Sequence, residues 1–165
     1  MSDRIVGFEP VFDANSRVLI LGSFPSVKSR EVDFYYGNPR NRFWGMLYSY
    51  FQEPLQIGTE NRREFLARRG VALWDVVMRC RIVGSQDASI TDYEAADLSR
   101  VLSCAPIERI LLNGKTAYSI FKKCAQTDVP ALCLPSTSPA NPRFNEEEWR
   151  AALDLVFANK ESARV

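Results

Sequence analysis

The sequence contains no histidine among its 165 residues, and that gap excludes more chemistry than any other single feature. Ser-His-Asp catalysis loses its base, and zinc loses its usual nitrogen ligand. The four cysteines, Cys80, Cys104, Cys124 and Cys133, form no Cys-x-x-Cys pair. A disulfide scaffold or a four-cysteine iron–sulfur cluster is therefore disfavoured, and a reduced, intracellular setting fits better. No run of 18 apolar residues and no signal-peptide pattern occurs, so the expectation is a cytoplasmic protein, neither secreted nor inserted in a membrane. The Gly-x-x-x-x-Gly-Lys phosphate loop is missing, as are repeats, low-complexity tracts and linkers. An excess of one charge is lacking too. With 21 Lys and Arg against 20 Asp and Glu the net charge is +1, so any nucleic-acid site has to be a local patch. Lys28/Arg30, Arg40/Arg42, Arg62/Arg63/Arg68/Arg69, Arg79/Arg81 and Lys122/Lys123 are the available clusters, and scattered surface charge is the competing reading of each.

What is present is an ordinary globular composition, 46% hydrophobic and 25% charged, long enough for one domain spanning 1–165 with its core over about 17–158. Arg17-Val-Leu-Ile-Leu21 is a continuous apolar run, as expected of a parallel strand covered on both faces. It ends in the tight loop Gly22-Ser-Phe-Pro-Ser26. A polar helix is predicted from about Glu60 to Arg69, stopped by Gly70. Val71 to Val77 reads as a second buried strand, with Asp75 near its end. Arg79 to Ile90 reads as a loop. Thr91-Asp-Tyr-Glu94 reads as a capping box opening a helix to about Cys104. Ile107–Leu112 and Pro130–Leu134 read as two more strands, separated by a helix from Lys115 to Ala125. A last helix is capped at Asn145, with Trp149, Ala152, Leu153, Val156 and Phe157 as its buried face, and fraying is expected past Asn159. Four apolar strands alternating with helices predict an α/β fold with a mostly parallel sheet and helices on both faces.

Open sheets of this kind place ligands at the carboxyl ends of their strands. That rim should gather Gly22 to Ser26, Asp75, Asn113 and Ser136 to Asn141. Across from it should lie Tyr35 to Asn41, part of the stretch Phe34-Tyr-Tyr-Gly-Asn-Pro-Arg-Asn-Arg-Phe-Trp44. Asn38 is predicted to cap a helix whose first residue is Pro39, with Arg40, Asn41 and Arg42 in its first turn and Phe43, Met46, Leu47, Tyr50 and Phe51 on its apolar face. The rim inventory is amides, hydroxyls, rings and one carboxylate, with Lys115 the only nearby lysine for a Schiff base. A side-chain amide cannot take a proton at neutral pH, but its oxygen can hold a water in line. Cleavage of the bond between a nucleobase and deoxyribose fits such a site, because the departing base needs hydrogen-bond donors more than a strong nucleophile.

Four motifs in order, Gly22-Ser-Phe-Pro-Ser26, Tyr36-Gly-Asn-Pro-Arg-Asn-Arg-Phe-Trp44, Leu73-Trp-Asp-Val76 and Leu134-Pro-Ser-Thr-Ser-Pro139, resemble the uracil-DNA glycosylase superfamily over about residues 17–158. Within it the chain is most similar to the hypoxanthine-DNA (deoxyinosine) glycosylase branch. The resemblance implies a three-layer α/β/α sandwich around a four-stranded, mostly parallel sheet, and excision of deaminated bases from damaged DNA without a cofactor or metal. It also implies Asn41 as the catalytic amide and Tyr36 as the ring that stacks on the flipped base. Phe24 stands where mismatch-specific relatives carry a water-positioning Asn, Leu134 where a His or Asn often begins the last motif, and Asn38 where many carry His. Leaving-base stabilisation would then fall to backbone N–H groups and to Ser136 or Ser138.

The substrate-binding set expected on this basis is Gly22, Ser23, Phe24, Pro25, Tyr36, Asn38, Asp75, Asn113, Ser136 and Ser138. Arg40, Arg42, Asn141 and Arg143 are expected on the DNA backbone. Asp75 stays open between a base and a loop cap, and Asn113 between a helix-start device and a base reader. A monomer without an obligate protein partner, nucleoid-associated when on DNA, is expected. Uracil or mismatch excision, a free nucleoside or nucleotide N-glycosidase, and a non-catalytic damaged-DNA binder remain the alternatives.

Overall fold

In the computed structural model, which describes residues 4–162 with side chains up to position 158, the centre is a four-stranded sheet. Its members are β2 (Val18–Gly22), β3 (Val71–Asp75), β6 (Arg109–Asn113) and β7 (Ala131–Leu134), in the order β3-β2-β6-β7 and parallel throughout. Strands β2 and β3 are buried at every position, which is why they read as unbroken apolar runs rather than alternating ones. The register aligns Gly22 with Asp75 and Asn113 with Leu134. All four carboxyl ends therefore finish at one rim, and the loops leaving them converge there.

The chain after β2 bends at Pro25 into a short helix, α1 (Val27–Val32), capped by Ser26, whose hydroxyl accepts the Ser29 N–H. Helix α2 (Phe43–Tyr50) buries Phe43, Trp44, Met46, Leu47 and Tyr48, and α3 (Thr59–Arg69) stacks Phe65 on Tyr48 at 3.8 Å between centroids. Gly70 ends α3 in the left-handed region, as expected of a glycine stop. Helix α4 (Ser99–Leu102) is a single turn, and α5 (Lys115–Cys124) crosses between β6 and β7. Helix α6 (Glu146–Ser162) starts where Asn145 Oδ1 accepts the N–H groups of Glu147 and Glu148. Its Trp149, Ala152, Leu153 and Val156 are buried. The helix is assigned to Ser162, and the rest of the segment where fraying is expected, 163–165, lies outside the described residues. No helix among the described residues is long and apolar enough to cross a membrane.

Three predicted elements differ. Residues 79–90 are not all loop: β4 (Val77–Arg81) is a strand, and Thr91–Ala95 is a strand, β5, rather than a helix start. Together with β1 (Ile5–Val6) they form a small antiparallel sheet in the order β1-β4-β5. The Thr-x-x-Glu spacing is a local signal. Here the cross-strand pairing overrides it, setting Arg79 against Glu94 at 2.7 Å and Arg81 near Asp92 at 3.5 Å. Helix α2 begins at Phe43, four residues later than Pro39. Asn38 caps a turn, its Oδ1 accepting the Arg40 N–H at 2.9 Å, and Arg40, Asn41 and Arg42 precede the helix instead of forming its first turn.

Candidate active site

The loops at the carboxyl rim enclose a cavity of about 290 Å³, near the small end of ligand pockets and suited to one base-sized group. Gly22, Ser23, Phe24, Pro25, Tyr36, Asn38, Asn41, Asp75, Asn113, Ser136 and Ser138 all line it. Asn41 sits at the mouth of α2, where its Oδ1 accepts the Phe43 N–H at 2.9 Å. That bond uses one lone pair and fixes the plane of the amide, leaving the second lone pair and the NH₂ group for the cavity. Tyr36 holds a left-handed backbone, φ 51°, a conformation rarely adopted by a large residue outside functional sites. Its ring stacks on Phe43 with centroids 4.1 Å apart, so one ring face is taken.

The Tyr36 hydroxyl points inward. It is closed to solvent and has no hydrogen-bond partner among the described residues. Burial and the neighbouring Asp75 carboxyl push it above the usual phenol range. The Asn113 amide lies close enough to moderate that rise, but both its polar atoms are aimed at Thr137, Nδ2 donating to Oγ1 and Oδ1 accepting the Thr137 N–H, each at 3.0 Å. Asn113 thus ties the end of β6 to the loop after β7. It does not cap α5, whose N-cap is Gly114.

Asp75 is 5% exposed. Its Oδ2 has no partner among the described residues, while the Gly22 N–H favours its charged form. Burial, reinforced by Asp87, raises the carboxyl to about 7. Gly22 has to be glycine: a Cβ there would stand 2.7 Å from Asp75 Oδ1 and 3.2 Å from the Tyr36 hydroxyl.

Asp87 is one of the lining residues that sequence reasoning missed, with Phe8, Ser29 and Ser85. It sits in a 3-10 turn, Asp87–Ser89, and accepts the Ser23 hydroxyl at 2.8 Å; burial raises it too. Its turn is delivered to the cavity by long-range ties, Arg30 Nη2 to Gly84 O and the Val27 N–H to Ser85 Oγ, both spanning more than fifty positions. No local pattern announces such contacts. Among the described residues no group of three or more Cys, Asp or Glu side chains is placed to hold a metal ion.

The profile of the Uracil DNA glycosylase superfamily matches residues 9–156. The chain belongs to the uracil DNA glycosylase superfamily. It is 37% identical over 152 residues to a protein named hypoxanthine DNA glycosylase from Methanosarcina acetivorans, covering 89% of this chain and 96% of that one. A protein of the same name from Methanosarcina barkeri is 42% identical over 139 residues, 83% and 88% of the two chains. The fold is also similar to a solution NMR structure from Methanosarcina acetivorans assigned to the uracil DNA glycosylases. There the TM-score is 0.77 at 34% identity, with 90% of this chain and 96% of that one covered.

Around this superfamily cavity the residues expected on the DNA backbone fall outside the lining. Arg40 is exposed at the turn before α2. Arg42 is directed into its own protein. Its Nη2 donates to Ser138 O at 2.5 Å and Asn141 O at 2.7 Å, its Nε reaches Thr137 O at 3.4 Å, and the guanidinium lies over Phe144. Asn141 likewise works inside the loop, donating to Ser136 O and accepting the Arg143 N–H. Ser136 and Ser138 accept N–H groups two residues ahead, stiffening the same turn. Arg143 is exposed beyond it. Other basic clusters are also engaged internally: Arg68 and Arg69 both grip Glu53, and Arg62 lies over Trp44.

Proposed function

We propose that this protein is a monofunctional DNA glycosylase that hydrolyses the N-glycosidic bond of hypoxanthine in deaminated DNA and leaves an abasic site. The observation that carries the reading is the Asn41 amide and the Tyr36 ring lining one base-sized cavity at the sheet's carboxyl rim. The relatives' shared name supports the choice of base.

The enzyme extrudes the damaged nucleotide, at a cost of a few kcal/mol that is least for a mispaired base. The base enters the cavity with Tyr36 offering the ring face that Phe43 leaves free. Asn41, its amide plane fixed by the Phe43 N–H, directs water at C1′. Phe24 lines the pocket without a polar atom to hold water. Backbone N–H groups and the hydroxyls of Ser136 and Ser138 stand near the leaving base. Arg40 and Arg143, both exposed, contact phosphates, while Arg42 and Asn141 shape the loop that presses on the strand. The protein acts in the cytoplasm as a monomer.

The test incubates the protein with duplex oligonucleotides carrying hypoxanthine, uracil, xanthine or a thymine mispair, followed by hot alkali. Alkali-dependent breaks at hypoxanthine, weakening steeply as salt rises, are expected. Breaks at uracil alone would move the substrate and keep the reaction. Binding without base release would overturn the enzymatic reading.

A further inference from the structure

Asn41 supplies no acid for the departing purine, and the cavity offers no histidine to do so. It does hold two carboxyls, Asp75 and Asp87, and the charge of Asp87 bears on Asp75. Each has one partner that favours its charged form, the Gly22 N–H for Asp75 and the Ser23 hydroxyl for Asp87. Asp75 Oδ2 is buried and bonded to nothing among the described residues. An unshared carboxylate oxygen in that position costs more than a neutral carboxylic acid there.

We propose that Asp75 is a catalytic acid that protonates a ring nitrogen of the departing purine, with Asp87 as the positioning residue that keeps the proton on it. The proposal rests on the glycosylase reading above and adds a second group to its chemistry.

The step balances. Water held by Asn41 bonds to C1′ through its oxygen as the bond from C1′ to the purine nitrogen breaks. The bonding pair leaves with the base, and the Asp75 O–H proton passes to a ring nitrogen, so neutral hypoxanthine departs. The proton lost by the attacking water goes to solvent, and the Asp75 carboxylate is reprotonated from solvent before the next turnover.

The other groups facing Asp75 are few. Tyr36 and Tyr35 are both held neutral, chiefly by burial with Asp75 adding to it. Lys28, the one cation lining the cavity among the described residues, is 61% exposed and turned toward Glu31 at 3.6 Å. Among the described residues no cation bears on either carboxyl, and with Asp87 charged the site favours a proton on Asp75 near neutral pH.

The experiment measures single-turnover release of hypoxanthine from a duplex oligonucleotide between about pH 5 and about pH 9. The wild type should hold a plateau on the acid side and lose rate above about pH 7. Asp75→Asn keeps the shape and a hydrogen-bond donor but has no acid proton. It should lower the acid plateau by ~100-fold or more and abolish the falling limb. Asp87→Asn removes the charge that holds the proton, so its limb should move to lower pH whatever its plateau. A preserved plateau in Asp75→Asn, or an unmoved limb in Asp87→Asn, overturns the proposal. Should Asp75→Asn fail to melt cooperatively, the Asp87→Asn limb decides alone. Absence of hypoxanthine release from the wild type would instead sink the glycosylase reading itself.

Discussion

Replacing Gly22 by alanine puts one methyl group where β2 ends against the cavity floor. Its Cβ would stand 2.7 Å from Asp75 Oδ1, inside the 3.0 Å that such contacts do not cross, and 3.2 Å from the Tyr36 hydroxyl. Asp75 is buried and accepts the Gly22 N–H, and Tyr36 is pinned by Phe43, so neither neighbour can yield without moving a wall of the cavity. Overpacking of this kind costs about 1–3 kcal/mol, which at this chain length lowers the melting temperature by roughly 2–12 °C. The displaced carboxyl and ring intrude on the space for the base, and a misplacement approaching 1 Å can cost about 100-fold in rate. Gly45 is the internal control: it lies exposed within α2, and a methyl group added there would meet nothing within 4 Å. Gly45→Ala should raise stability by about 0.5–1 kcal/mol through helix propensity alone and leave excision intact. Thermal melts and single-turnover excision on both variants make the comparison. Gly22→Ala with wild-type stability and rate would refute the account of how the cavity floor is built.

Arg42→Ala should cost about 2–4 kcal/mol, since two short charge-assisted bonds from its Nη2 to loop carbonyls disappear in a half-buried setting; proteolysis within 136–143 should quicken, and a resistant loop would contradict the brace. Stability should also depend on pH through Asp75. Its folded-state value of about 7 lies above the ordinary 3.8, so its contribution is fully present below pH 3.8 and is lost as pH rises to about 7. Asp75→Asn cannot ionise, so its stability relative to wild type should climb across that window by up to a few kcal/mol and then level off. Denaturant midpoints that run parallel in the two proteins would refute this sign.

Much of the core sheet is legible in the sequence because its strands are buried on both faces and so betray themselves as apolar runs. Val18–Gly22 and Val71–Asp75 leave little else to be. The α/β class follows, and so does the rim, since the carboxyl ends of parallel strands lie together by topology. The antiparallel sheet is obscure for the opposite reason. Its strands carry Arg79 and Arg81 on half-buried positions and Asp92 and Glu94 on exposed ones, and their pairing across the sheet is invisible to a window that reads Thr91 and Glu94 as neighbours on a helix. Asp87 escaped because ties from α1 and from the loop after β2, far away in sequence, put it in the cavity. The bracing of the 137–141 loop by Arg42 is not legible because nothing local reveals those carbonyls folding over it.

The central claim is that Asn41 aims water at the sugar from the cavity wall. Its most direct test is Asn41→Ala in single-turnover excision from a hypoxanthine duplex, paired with binding of the same duplex and with a thermal melt. Loss of a water-positioning group is expected to slow excision by at least ~100-fold, while binding of the lesion stays close to wild type. Excision at the wild-type rate by a folded Asn41→Ala protein would contradict the account.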